Sequence, residues 1–302
     1  MLDLATLAAL HETYRDQAEL PVADFALGPH RFEFERTRYL MGVINLSPDS
    51  WYRESVALNA DAAIRRARVL CAQGAAIIDV GAESSLNHAA RVDAKAQLER
   101  LLPVVRPLAR AGVCVSVETY ELEVAAAALA AGARVINFTG TAGAEELFRL
   151  VAEHEAAVIL CFVRGENVRE VGELDLERDP IAVLREFFEP RIEAAVNAGV
   201  SRIWIDPGLG FYYRNLEDGP ARVRHQMRVF LESFRLRALG WPVCQALPHA
   251  FGCFAEEVRT AESFFAVPAL LGQASLLRTH EVAKVQGVIR AMQSGDNEAE
   301  PA

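Results

Sequence analysis

Seven polar side chains are spaced so that one pocket could hold them all. Asn45, Asp79, Glu118, Asn137, Asp206, Arg278 and His280 each closes, or closely follows, a short apolar run. Amides, carboxylates, a guanidinium and an imidazole brought to one place make a shared polar pocket rich in hydrogen-bond donors and acceptors. Any one of these residues alone is as well explained as a turn residue or a helix cap. As a set they fall at the same end of successive runs, which a chance scatter would not produce. The sharpest case is residues 39–51, YLMGVINLSPDSW, where an apolar run stops at Asn45 and Ser47-Pro48-Asp49-Ser50 breaks the pattern. That break reads either as a turn with a helix cap or as a functional loop.

The elements that must position these groups alternate regularly. Strand-like runs are expected at 39–44, 75–78, 113–117, 134–136, 157–162, 202–205, 242–244 and 274–277. Helical patterns are expected at 60–73, 94–109, 121–131, 142–153, 181–198, 220–239, 263–271 and 281–292. Eight such units predict an α/β chain folded as a (β/α)8 TIM barrel, in which the strand C-terminal ends converge on one mouth. A doubly wound open sheet is the alternative, but no glycine-rich phosphate loop follows the first run. Residues 1–18 read as an amphipathic helix and 30–36 alternate like a strand. A short N-terminal helix and hairpin extension, 1–38, is therefore expected to cap the bottom of a barrel spanning 39–292. The polar tail 293–302 is expected to be disordered.

With 302 residues, 52% of them hydrophobic, the chain can bury one large core. A net charge of −10 disfavours a nucleic-acid backbone as partner. No run is long enough to span a bilayer, and the first ten residues lack the basic start of a signal peptide, so no membrane partner is expected. Five scattered cysteines without a CxxC pair predict reduced thiols and a cytoplasmic location. His249 and His280 lack the spacing of a zinc site. Cys161 reads as a packing residue rather than a nucleophile, having no recognisable base partner. Arg222, Arg224, Arg228, Arg235 and Arg237 read as a solvated helix face or a subunit interface, and the acidic stretch 166–179 as a surface loop able to cover the mouth.

Taken in order, these motifs resemble dihydropteroate synthase, the pterin-binding barrel of folate synthesis. Residues 45–51, NLSPDSW, are similar to the family's Asn-x-Thr-Pro-Asp-Ser-Phe, and residues 74–84, GAAIIDVGAES, to its second signature. SVETY (116–120), VIN (135–137), DPGLGF (206–211) and RTH (278–280) follow in the family's order. The resemblance implies a transferase that condenses a dihydropterin bearing a methylene diphosphate with an arylamine, p-aminobenzoate. It implies that Asp206 and Asn137 hold the edge of the pterin ring, with Glu118 where the family has Asp. Phe211 and Cys161 would flank the ring plane. Asn45 would be the protein ligand of a Mg2+ that carries the diphosphate, and Arg278 and His280 would hold that anion. A small-molecule pterin is the expected partner, and the chain is expected to form a homodimer.

Three segments depart from the family pattern. Where the family has Ser-Arg-Lys after the seventh strand, this chain has ALPHAF (246–251), with Ala250 nearest the Lys and His249 as a partial substitute. The family's Ser-Thr-Arg-Pro becomes Ser84-Ser85-Leu86-Asn87, which keeps a hydroxyl at Ser85 and loses the Arg. The first loop reads Trp51-Tyr52-Arg53-Glu54, with Arg53 where an Asp is usual. Trp51, Arg53 and Ser85 are expected to face the second substrate. The losses gather on the arylamine side, leaving three readings open: a divergent synthase, a paralogue performing a different transfer on a pterin, and a non-catalytic pterin-binding subunit. Retention of Asn45, Arg278 and His280 counts against the last.

Overall fold

The strands of this chain are apolar on both faces because both faces are covered. The computed structural model describes residues 3–47, 56–57, 59–84, 91–216 and 219–294. In chain order the elements begin with α1 (Leu4–Thr13), α2 (Arg15–Ala18), β1 (Phe25–Leu27) and β2 (His30–Phe32). Strand–helix units follow: β3 (Tyr39–Asn45) and α3 (Ala60–Ala72), β4 (Ala75–Gly81) and α4 (Ala94–Arg110), β5 (Val115–Thr119) and α5 (Leu122–Ala130). Next come β6 (Val135–Phe138) and α6 (Ala144–Glu153), β7 (Ala157–Cys161) and α7 (Pro180–Asn197), then β8 (Ile203–Asp206) and α8 (Pro220–Glu232), which tightens into a 3-10 turn over Ser233–Leu239. The last units are β9 (Cys244–Ala246) with α9 (Phe251–Phe254) and α10 (Val258–Leu271), then β10 (Leu276–Thr279) and α11 (Val282–Gln293).

Strands β3 to β10 form one parallel sheet in the order β8-β7-β6-β5-β4-β3-β10-β9. It closes where Ile205 bridges Val243 and its N–H donates to the Pro242 carbonyl at 3.1 Å. The fold is the (β/α)8 barrel that the alternating runs predict. Every residue of β6, β7 and β8 is buried, as expected of strands covered on both faces. In α4, Leu101, Val104, Val105 and Leu108 recur on one face and bury against the barrel. Asn59, Asp93 and Asp179 cap α3, α4 and α7 by accepting a backbone N–H, each such cap contributing about 1 kcal/mol.

The register decides what meets at the mouth. Asn45 is opposite Gly81, Gly81 opposite Glu118, and Glu118 opposite Asn137, so four neighbouring strands present one rung there. A Cβ on Gly81 would come within 3.7 Å of a Glu118 carboxylate oxygen and 4.0 Å of Asn45 Oδ1. The missing side chain leaves that space to the other two.

At the opposite end, β1 and β2 form an antiparallel hairpin. Its Phe25 and Phe32, with Phe34, pack on Trp204 of β8 at centroid distances of 4.6, 5.3 and 6.1 Å, and Phe32 meets Tyr39 at 4.9 Å. Tyr39 and Trp204 stand at the starts of their strands, so this aromatic plug lies away from the mouth. Helix α1 differs from its amphipathic reading, since none of its residues is buried. The basic stretch after residue 220 differs too. Arg222, Arg235 and Arg237 are buried, with Arg235 paired to Asp179 and Glu232 beneath Tyr14, and Arg237 donating to the Leu20 carbonyl at 2.6 Å. Arg235 and Arg237 clamp the end of α8 to α7 and to the N-terminal segment, a use that one-residue spacing rules do not distinguish from a solvated face. From residue 295 the expected tail lies outside the described residues.

Candidate active site

Asp79, wholly buried on β4, is the hub of the mouth. Its Oδ1 accepts the Ser116 hydroxyl at 2.6 Å, and its Oδ2 accepts Asn137 Nδ2 at 3.1 Å and Arg278 Nε at 2.8 Å. The far end of the Arg278 guanidinium donates to Glu118. Four strands, β4, β5, β6 and β10, are thus tied through one carboxylate. Burial pushes the Glu118 carboxyl above its ordinary range, and the neighbouring Asp79 and Asp206 add to that, while Arg278 opposes it. Arg278 itself is held more firmly protonated by Glu118 and Asp79, despite its burial.

Asp206 ends β8 at 3% exposure. Burial raises its carboxyl to about 6, although the Gly208 N–H, Arg278 and the Cys244 thiol all favour the charged form. The Gly208 N–H donates to Asp206 Oδ1 at 2.7 Å from a backbone with φ +73°, and a Cβ there would lie 2.3 Å from the Phe162 carbonyl. Only glycine fits this turn. Cys161 donates through Sγ to Asn137 Oδ1 at 3.1 Å, which fixes the amide so that its nitrogen faces Asp79. Burial holds the Cys161 thiol well above its ordinary value, in keeping with a packing role rather than a nucleophilic one.

A cleft opens to solvent over these groups. Asn45, Glu118, Asn137, Cys161, Asp206 and Phe211 line it, as do His249, Arg278 and His280. The structure therefore brings nine sequence-derived candidates to one wall. It places them differently in two respects. The Arg278 guanidinium faces Asp79 and Glu118, within the carboxylate cluster. Glu118, one methylene longer than the family's Asp, reaches Arg278 with its added length. Trp51, Arg53 and Ser85 lie outside the described residues.

His249 and His280 meet at a residue that the sequence reading passed over. Glu262, wholly buried on α10, accepts His249 Nε2 at 2.8 Å and His280 Nδ1 at 2.7 Å on the same oxygen, Oε1. Its Oε2 accepts the Thr279 hydroxyl and the backbone N–H groups of His280, at 2.9 Å, and Glu281, at 3.2 Å. Burial lowers the His249 imidazole to about 4, with Glu262 opposing that shift. One signal for Glu262 was in the sequence: a lone carboxylate on the helix face that also carries Phe265, Ala266 and Ala269.

Two further residues frame the cleft. Arg222 donates to the Leu209 carbonyl at 3.2 Å and stacks over Tyr212, holding the loop after β8. Arg169, in the loop expected to cover the mouth, donates to the Ser84 carbonyl at 2.7 Å, while Gly140 bridges Asn167. That loop is folded against the ends of β4 and β6.

The family model described as pterin binding enzyme matches residues 41–280. A dihydropteroate synthase of Synechocystis is 32% identical over 222 residues, 72% of this chain and 73% of the relative. A folate synthesis bifunctional protein of Arabidopsis thaliana is 34% identical over 194 residues, and the match spans 61% of this chain but 40% of that longer protein. Among solved structures, Xanthomonas albilineans dihydropteroate synthase with 4-aminobenzoic acid superposes with a TM-score of 0.75 at 27% identity, covering 93% of this chain and all of that one (100%). No helix among the described residues is long and apolar enough to cross a membrane.

Proposed function

The chain belongs to the pterin-binding enzyme family of dihydropteroate synthases, and on that premise we propose that its cleft binds a dihydropterin methylene diphosphate and transfers the pterin methylene to an amine. In that transfer the amine nitrogen bonds to the methylene carbon, the carbon–oxygen bond to diphosphate breaks, and the amine gives up a proton. The observation that carries the reading is the buried Asp206 carboxylate facing the same cleft as Asn137. A pterin edge offers such a carboxylate adjacent N–H donors, and charge-assisted hydrogen bonds of that kind are about twice as strong as neutral ones.

The diphosphate end falls to Asn45, Arg278 and His280. Anion binding draws on Arg278 as Glu118 relaxes its hold, so the diphosphate and the Glu118 carboxylate compete for one guanidinium. Mg2+ suits the Asn45 end: an amide oxygen is a hard ligand, Gly81 leaves room between Asn45 and Glu118, and Mg2+ takes few protein ligands beside phosphate oxygens and water. When bound, the ion offsets the negative charge of the leaving diphosphate.

A second reading, transfer to an amine other than p-aminobenzoate, is favoured by the cleft wall itself. Ala250 lines it without a charge, and Nε2 of the adjacent His249 is engaged by Glu262 rather than presented in place of a Lys. A homodimer fits the apolar stripe Phe264, Val267 and Leu271 on α10, exposed at 44, 38 and 48%. A cytoplasmic location fits five free cysteines. Calorimetry with the dihydropterin diphosphate and Mg2+, repeated with p-aminobenzoate, tests the assignment. Binding of the first ligand is expected. Its absence from a folded protein would remove the pterin reading altogether.

A further inference from the structure

We propose that His249, Glu262 and His280 form a binding site for a transition-metal dication of the Zn2+ class, separate from the Mg2+ expected at Asn45. Three observations converge on it. His249 Nε2, Glu262 Oε1 and His280 Nδ1 all lie within 4.8 Å of one another, and all three residues are buried. Two imidazoles and one carboxylate are a recurrent catalytic zinc set, which leaves a position open to water or substrate, and His249 and His280 also line the cleft.

The second observation is that the buried Glu262 carboxylate has no permanently charged partner among the described residues. Glu262 is 0% exposed, and among the described residues its ionic partners are the two imidazoles, with no Arg or Lys. A buried carboxylate is costly unless a cation accompanies it. Asp79, equally buried, has Arg278. A dication between the rings would supply what Arg278 supplies to Asp79.

The third observation is how the carboxylate is held. Oε2 is fixed by the Thr279 hydroxyl and two backbone N–H groups, which leaves Oε1 aimed at both rings. Supporting hydrogen bonds of this sort orient metal-ligating carboxylates. Ligands at about 2.0–2.1 Å from a tetrahedral ion stand about 3.3 Å apart. The contacts of 2.7 and 2.8 Å must open by about half an ångström, which small rotations of the two rings provide, and the ring centroids are already 5.4 Å apart. Imidazole with carboxylate favours Zn2+, Co2+ or Ni2+ over Mg2+, which prefers oxygen ligands throughout.

The test reads metal binding in the absence of any pterin, so its failure and that of the synthase reading are distinguishable. Metal-stripped full-length protein is titrated with Co2+, followed in the visible, and then with Zn2+ by calorimetry. One ion per chain is expected, with the strong visible bands of low-coordinate Co2+, displaced by Zn2+ and unchanged by millimolar Mg2+. His249→Ala and His249→Gln each remove one ligand, and affinity should fall at least about a hundredfold, the upper range for losing a merely supporting group. Thr279→Val, which frees Oε2, should weaken binding by about ten- to a hundredfold. Absence of a one-to-one Co2+ complex in folded wild-type protein overturns the proposal and leaves a hydrogen-bonded cluster. So does equal binding by wild type and both His249 variants. Should a variant fail to fold, the wild-type stoichiometry and spectrum decide.

Discussion

Arg278 Nε stands 2.8 Å from Asp79 Oδ2, joining the last barrel strand to the second across a wholly buried carboxylate. The pair makes one group both structural and functional, because the guanidinium that balances Asp79 also faces Glu118 on the ligand side. Asp79→Ala leaves Arg278 paired to Glu118 alone and strips the Ser116 hydroxyl and the Asn137 amide of their buried acceptor. Each buried donor left unpaired costs about 1–3 kcal/mol, so the urea midpoint should fall by an amount corresponding to about 2–4 kcal/mol. A loss below about 1 kcal/mol would show that water reaches the pair and that Asp79 is no hub.

Glu118→Gln should strengthen anion binding. The change removes one of the two carboxylates that engage Arg278 and keeps the side chain's length. A guanidinium with one carboxylate partner attracts a second anion better than one with two. Titration with inorganic pyrophosphate and Mg2+ should show an affinity gain of about three- to tenfold, about 1 kcal/mol. An unchanged or weaker affinity would place the diphosphate away from Arg278.

Pterin affinity should depend on Asp206 with a definite sign. Its carboxyl is raised to about 6, burial being the main cause. The ring's N–H donors bind the carboxylate rather than the acid, so binding must expel any proton that Asp206 carries. Affinity is then full well above pH 6 and falls by about tenfold for each unit well below it. Calorimetry between about pH 5 and pH 8 with a pterin that does not titrate there checks this, and a flat profile would exclude Asp206 as the ring's anchor. Asp206→Ala should abolish binding at every pH.

The barrel was legible because a buried parallel strand writes itself as an apolar run, and its end as the first polar residue after it. Asn45, Glu118, Asn137 and Asp206 were found that way. Glu262 escaped because it sits inside a helix, where its only mark was one carboxylate on an otherwise apolar face. Its partners are 13 and 18 residues away in sequence, on a loop and after a strand, and no helical spacing links them. Arg278 was legible as a strand-end cation, but its choice of partner was not. Whether a guanidinium turns to substrate or to carboxylate depends on the register of β4, β5 and β10 together. The buried arginines after residue 220 show the same limit, since burial of a charge is decided by the surface that arrives from elsewhere.

The arylamine site yields the sharpest test of what this chain does. The family's Lys is expected nearest Ala250, which lines the cleft at 5% exposure and offers neither charge nor donor. His249 does not replace it through Nε2, which points at Glu262. Loss of a charged contact and of the loop Arg, here Leu86, amounts to a few kcal/mol, on the order of a hundredfold or more in affinity. Turnover of p-aminobenzoate should accordingly fall well below about one per second, the low end of ordinary enzymes. Ala250→Lys should raise it, and by more in kcat/KM than in kcat, because the new ammonium contributes binding to the incoming amine. Ala250 already occupies a left-handed backbone conformation, φ +49°, that any side chain finds equally strained, so Lys brings no backbone penalty beyond the one present. Wild-type turnover at or above about one per second would establish a plain synthase whose second site is built from other residues. A silent Ala250→Lys variant that still binds the dihydropterin diphosphate would favour a different nucleophile.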